Sequence, residues 1–167
     1  MAYTAEQLSD LECIRDCAKR YCRGVDRLDV EVLKSAYWAD ARDNHGAFDG
    51  NAHEFAEYCM VGHLKWRWTR HCIFNHSIEL AADGVSATGE IYNVSYLYRK
   101  DEDVLDTWHG RYLDRYEKRG GEWKIADRVC VHEGTSSTAV SPMEIDAAAF
   151  RQGDFDRGLA ASRPIGP

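Results

Sequence analysis

The sequence has no apolar run as long as a membrane-spanning helix, and its first residues lack the basic-then-apolar pattern of a signal segment. A cytoplasmic protein that makes no use of a membrane is the expectation. Positive charge is in short supply, with 21 Lys and Arg against 28 Asp and Glu and a formal net charge of −7. That balance argues against nucleic acid and anionic lipid as partners, because both are recognised by basic surfaces. Proline is scarce and confined to positions 142, 164 and 167. The six cysteines form no Cys-x-x-Cys pair, and Cys13, Cys17 and Cys22 share one helical stretch. A disulfide framework or zinc cluster is therefore not expected, and the thiols read as small buried hydrophobes in a reducing compartment. His-Glu-x-x-His, a glycine-rich phosphate loop and Gly-x-Ser-x-Gly are all missing. The expectation is no metal, no nucleotide, no covalent nucleophile and no other cofactor.

What remains is an ordinary globular composition, 44% hydrophobic and 29% charged, in 167 residues. That length suits one domain with a substantial core. The composition changes after Gly134, so residues 1–134 read as the domain. Residues 135–167 read as a tail, with a loop at 135–138 and a short helix from Met143 to Phe150. Its apolar residues, Met143, Ile145, Phe150, Phe155 and Leu159, predict that the tail packs on the domain or on a neighbouring subunit.

The most patterned stretch runs from Trp108 to His132. Trp108, Tyr112 and Tyr116 share one parity, Gly110 and Asp114 lie between them, and Gly120-Gly121 supplies a hairpin turn. In the second strand Trp123, Ile125 and Val129 alternate, while Arg128, Cys130 and His132 fall on the face opposite Val129. Upstream, Thr4 and Gln7 have capping-box spacing, and Leu8, Leu11, Ile14, Ala18, Tyr21 and Val25 form an apolar helical stripe ending near Asp26. Asp29 caps a second helix carrying Val32, Leu33, Ala36 and Tyr37 inward. A weak strand at 42–50 precedes Asn51, the cap of a third helix with Phe55, Cys59, Met60, Leu64 and Trp68 in register. Strands follow at 69–80 and 85–99, joined by Asp83-Gly84. Helices first and strands after give an α+β fold with an antiparallel sheet.

Four pieces of this pattern occur together: Tyr21-x4-Asp26-x2-Asp29, Thr69-x-His71-x3-Asn75, Gly110-x-Tyr112-x-Asp114-x-Tyr116 and Gly121-x-Trp123-x4-Arg128. In that order they resemble the SnoaL-like branch of the nuclear-transport-factor-2-like superfamily, over roughly residues 5–134. The resemblance implies a cone-shaped, barrel-like fold in which a strongly curved antiparallel sheet wraps around the N-terminal helices and encloses a deep pocket. Catalytic members of the branch include scytalone dehydratase, a bile acid dehydratase and a hexachlorocyclohexane dehydrochlorinase. Their shared theme is an aspartate at the end of the first helix that holds a strand histidine, which removes a substrate proton.

Carried over position by position, the resemblance makes Asp26 and His71 that pair, and Tyr21 and Arg128 stabilisers of developing negative charge. It places Trp108, Tyr112, Asn93, Ile91 and His132 around the substrate. Ser95 stands where the bile acid enzyme has an aspartate, so no leaving-group acid is expected from that strand. Taken without the resemblance, His71 is one of seven histidines, Asp26 a helix-end carboxylate, Tyr21 a core side chain and Arg128 a surface ion pair with Asp114 or Glu117. His45, His53 and His63 read as surface residues of the third-helix region. The function implied is a cofactor-independent lyase of dehydratase type acting on a hydrophobic, ring-bearing small molecule. The alternatives are an isomerase, a polyketide-cyclase-like enzyme, or a non-catalytic ligand-binding or assembly subunit. Apolar residues expected on the outer sheet face, Tyr92, Val94, Leu113 and Val129, predict a homo-oligomer. The family favours a trimer, with a dimer next.

Overall fold

The computed structural model describes residues 2–153. Phe155 and Leu159 of the tail lie outside the described residues. Helix α1 (Ala5–Asp26) starts at the reciprocal Thr4–Gln7 capping box, which satisfies two backbone donors of its first turn. Its buried stripe includes Ile14, Cys17, Tyr21 and Val25. Helix α2 (Val30–Ser35) is capped by Asp29 and packs so closely on α1 that a Cβ on Gly24 would sit 2.5 Å from the Leu33 backbone nitrogen. It is shorter than its apolar pattern predicts. Tyr37 opens strand β1 (Tyr37–Asn44), which turns back into β2 (Asp49–Asn51).

Asn51 caps α3 (Ala52–Gly62), its side-chain oxygen accepting from the His53 and Glu54 backbone N–H groups. After a 3-10 turn (His63–Lys65) the chain enters β3 (Trp66–Leu80), so Trp68 lies in a strand and not in the helix its spacing suggested. There it stacks on Tyr98 of β4 (Ser86–Arg99), with ring centroids 5.5 Å apart, and that cross-strand contact outweighs the helical register. Strands β5 (Val104–Arg119) and β6 (Glu122–Ala139) form the long hairpin around Gly120 and Gly121, both at positive φ. Residues 135–138, expected as a loop, continue the ladder as far as Val104↔Ala139. Residues 143–150 form no helix, and Met143, Ile145 and Phe150 are exposed. No helix among the described residues is long and apolar enough to cross a membrane.

The fold is α+β: one curved, unclosed six-stranded sheet in the order β2-β1-β6-β5-β4-β3, with helices against its inner face. All pairs are antiparallel except β1 and β6, which run parallel. Register shifts decide what faces inward. The β5–β6 ladder steps from Arg115↔Asp127 to Tyr116↔Ile125, which leaves Ala126 as an extra residue. Strict alternation set Arg128 and Cys130 apart from Trp123 and Ile125. Past this bulge Arg128 shares the inner face with Trp123 and Ile125, and all three are buried. Gly110 serves a close approach: a Cβ there would lie 2.0 Å from the Val131 carbonyl and 2.2 Å from the Trp108 ring. The indole therefore lies over the strand backbone at the open end of the sheet.

Candidate active site

Helix α1 delivers Asp26 to the inner face of β3. A carboxylate at a helix C-terminus faces the negative end of the dipole and needs donors to hold it. It has three: the Thr69 hydroxyl at 2.8 Å, the His71 backbone N–H at 3.0 Å and the His71 ring Nδ1 at 2.7 Å. Burial acts to raise the Asp26 pKa, but the hydrogen bonds and charge of His71, with Thr69, hold it below the ordinary carboxylate value. Since Nδ1 donates to Asp26, Nε2 is the free nitrogen of the ring, and His71 lines the cavity.

The cavity has a volume of about 260 Å³ and is walled mostly by rings, among them Tyr21, His45, Phe55, Tyr58, His63, Trp66, Trp108 and Tyr112. Tyr21 meets His71 edge-on, with ring centroids 6.3 Å apart. Burial pushes the Tyr21 and Tyr112 phenols well above their ordinary pKa, so both stay protonated. His63 packs 6.0 Å from the His71 ring and bonds the Cys59 carbonyl. Burial and the neighbouring His71 push its pKa down to about 4, which keeps it a neutral wall. Burial likewise pushes the Cys59 thiol up to about 12, so no thiolate faces the site from α3.

Of the residues the sequence singled out, Tyr21, His71, Trp108 and Tyr112 line the cavity, and Asp26 stands behind His71. Arg128 does not reach it. Its guanidinium is 0% exposed and bonds both Asp114 oxygens at 2.7 Å. It lies 4.3 Å from the Tyr21 ring centroid and 4.2 Å from that of Tyr112. The Asp114 partner is as the residues alone suggested, but the pair is deep in the core because of the bulge at Ala126. With that burial Arg128 is not among the residues that line the cavity. Ile91 is a core residue and Asn93 is buried, accepting the Ser95 hydroxyl at 2.9 Å, and neither lines the cavity. His132 is exposed at the rim, its ring 6.0 Å from Trp108.

The sequence reading missed His45 and His63, both taken for surface residues. His53 is also partly buried, with its Nε2 enclosed and unbonded. His45, the first residue after β1, faces inward because its ring bonds Asp43, two residues earlier, and stacks on Phe55 at 4.4 Å. Its Nδ1 bonds the fully buried Asp43 carboxylate, and its Nε2 lies 3.0 Å from the Tyr21 hydroxyl. The Asp43-x-His45 spacing was the available signal. Among the described residues no group of three or more His, Cys, Asp or Glu side chains is placed to hold a metal.

The sequence model of the SnoaL-like domain matches residues 6–129. This chain belongs to the SnoaL-like family. No match is found among curated proteins. Among solved structures, this SnoaL-like chain is similar to a type 2 hexachlorocyclohexane dehydrochlorinase, LinA, at 19% identity and a TM-score of 0.75, covering 85% of this chain and 97% of that one. A putative scytalone dehydratase from Novosphingobium aromaticivorans superposes with a TM-score of 0.72 at 17% identity, covering 90% and 100%. A protein of unknown function from Mycobacterium tuberculosis does so with a TM-score of 0.68 at 24% identity, covering 80% and 77%. A Nostoc punctiforme protein of the same kind, at 23% identity and a TM-score of 0.62, is described as having a cystatin-like fold. At these identities the likeness establishes the shared fold.

Proposed function

We propose that this SnoaL-like domain is a cofactor-independent lyase that removes a carbon-bound proton from a small, hydrophobic, ring-bearing substrate and eliminates a leaving group. One observation carries the reading: an imidazole whose Nδ1 is fixed by a half-buried carboxylate has its other nitrogen free and lines an aromatic-walled cavity. A neutral imidazole is well suited to accept a proton near neutral pH, and the carboxylate behind it stabilises the imidazolium that forms. In this reading His71 is the base, Asp26 its support, and Tyr21 the donor to developing charge. Arg128 acts from behind, as a cation against the Tyr21 and Tyr112 rings. Trp108 and Tyr112 hold the substrate ring. The dehydrochlorinase and dehydratase names of the structural neighbours support the same class. A carrier or assembly subunit of this fold has no need of such a pair. An isomerase or cyclase would use it, and the products distinguish them. Assaying β-hydroxy-carbonyl and halogenated ring compounds for alkene formation tests the reading, and turnover to rearranged or cyclised products alone would refute elimination.

The convex sheet face carries exposed Phe74, Tyr92, Tyr96 and Leu113, an apolar set costly to leave in water. We propose a homo-oligomer, with a trimer the favoured state. Light scattering at micromolar concentration should give a mass above the 19.0 kDa of one chain, and a monomer contradicts it.

A further inference from the structure

An elimination has two halves, and His71 supplies only one of them. The other, the fate of the leaving group, falls to the facing wall. There Asp43 is 0% exposed, accepting the Tyr37 hydroxyl at 2.6 Å on one oxygen and His45 Nδ1 on the other. His45 Nε2 lies 3.0 Å from the Tyr21 hydroxyl, and Tyr21 stands beside His71 in the same cavity. Phe55, stacked on the His45 ring, fixes its plane.

The direction of these hydrogen bonds depends on one proton. With Nδ1–H donated to Asp43, a neutral His45 offers Tyr21 only the lone pair of Nε2. The Tyr21 O–H then points at His45, and the Tyr21 oxygen turns only lone pairs to Tyr112 and the cavity. With a proton on Nε2, the ring donates to the Tyr21 oxygen and the Tyr21 O–H is released toward the cavity. Asp43 accepts from both Tyr37 and His45, while Arg128 is engaged by Asp114 in a bidentate pair. Burial keeps the Tyr21 phenol itself protonated.

We propose that Asp43, His45 and Tyr21 form a proton-delivering relay that protonates a departing hydroxyl, which makes the substrates of this site β-hydroxy ring ketones rather than their halogenated counterparts. The proposal rests on the elimination reading above. In the step, His71 Nε2 takes the proton on the carbon beside the carbonyl, and that C–H pair becomes the new C=C bond. The C–O bond breaks with its electrons on oxygen. Tyr21 gives that oxygen its proton, so water leaves, and His45 Nε2 reprotonates Tyr21. One proton lost from His71 to solvent and one gained by His45 restore the site. A halide departs as an anion and needs no proton, so the relay would be idle with it. Tyr21 is the residue that touches the substrate, and His45 acts through it. A cavity of about 260 Å³ with aromatic walls fits a molecule of one or two rings.

The test compares β-hydroxytetralone with β-acetoxytetralone, which eliminate to the same naphthol but release water and acetate respectively. The readout is the ratio of the hydroxy to the acetoxy rate, each corrected for its spontaneous rate. Loss of general acid assistance should lower that ratio in His45→Gln by about 10²-fold or more. Tyr21→Phe, which keeps its ring packed, should lower it to the same extent, and the double variant no further. A purely structural role lowers both rates together and leaves the ratio at its wild-type value. An unchanged ratio in both single variants overturns the relay. His71→Ala should lower both rates alike, so a failed relay is told apart from a failed base. A wild-type protein inert toward both compounds removes the elimination reading and the relay with it.

Discussion

Two aspartate–histidine pairs face one cavity, and they are built in opposite ways. Asp26 and His71 are 45 positions apart and meet only because α1 docks its last turn against β3. Asp43 and His45 are two positions apart, at the end of β1 and the start of its turn into β2, and meet through local chain geometry alone. The first pair leaves its outer nitrogen free, whereas the second has its outer nitrogen engaged by Tyr21. Open and capped imidazoles suit different tasks, the one taking a proton and the other passing one on. What separates them is the third partner of each ring, not the aspartate behind it.

The difference can be broken from either side. The largest effect is expected from Asp26→Asn, which offers the imidazole an amide in place of a carboxylate and no longer supports its charge. On a confirmed substrate the rate should fall by roughly 10²–10⁴, with little change in KM. A drop below threefold would show that Asp26 merely ties α1 to β3. Arg128→Met is the next in size. It strips the buried partner from Asp114 beneath both tyrosines, and breaking a buried ion pair costs about 3–5 kcal/mol. Urea unfolding should show that loss, and a cost within error would mean that the buried pair adds nothing to stability.

The smallest effect concerns two histidines that burial keeps neutral. Burial, with His71 beside the first, holds His63 and His76 at about 4, below the ordinary histidine value of 6.5. Between those limits the unfolded chain binds protons that the folded chain refuses. Their contribution to stability is therefore full above 6.5 and declines as the pH falls toward 4. The loss should be on the order of 1–2 kcal/mol once discounted for the solvent that still reaches these rings. Denaturant midpoints measured across that range check it, and a stability that rises on acidification contradicts it.

Much of the fold was legible because it rests on local chemistry. The Thr4–Gln7 box, the Asp29 and Asn51 caps and the Gly120-Gly121 turn each declare an element boundary in a few residues. The Asp26–His71 pair could be named only through the family pattern, since nothing local in the sequence joins a helix end to a distant strand. What resisted reading was set by tertiary contacts. Trp68 keeps helical spacing yet stacks across the sheet on Tyr98. Ala126 carries no mark of a bulge, but its insertion decides which way Arg128 points. His45 looked like a surface residue because Asp43-x-His45 is polar, and polar pairs face inward only where each atom finds a partner, as these do in Tyr37 and Tyr21.

The central claim is that His71 takes a proton from carbon, and it can be tested without a leaving group. α-Tetralone, a ring ketone that cannot eliminate, would be incubated in deuterium oxide with the protein, and deuterium gain beside the carbonyl followed by mass spectrometry. The wild-type protein should exchange that position well above the spontaneous rate, and His71→Ala should lose about 10²-fold or more of the catalysed exchange. Equal exchange by wild type and His71→Ala would contradict the claim.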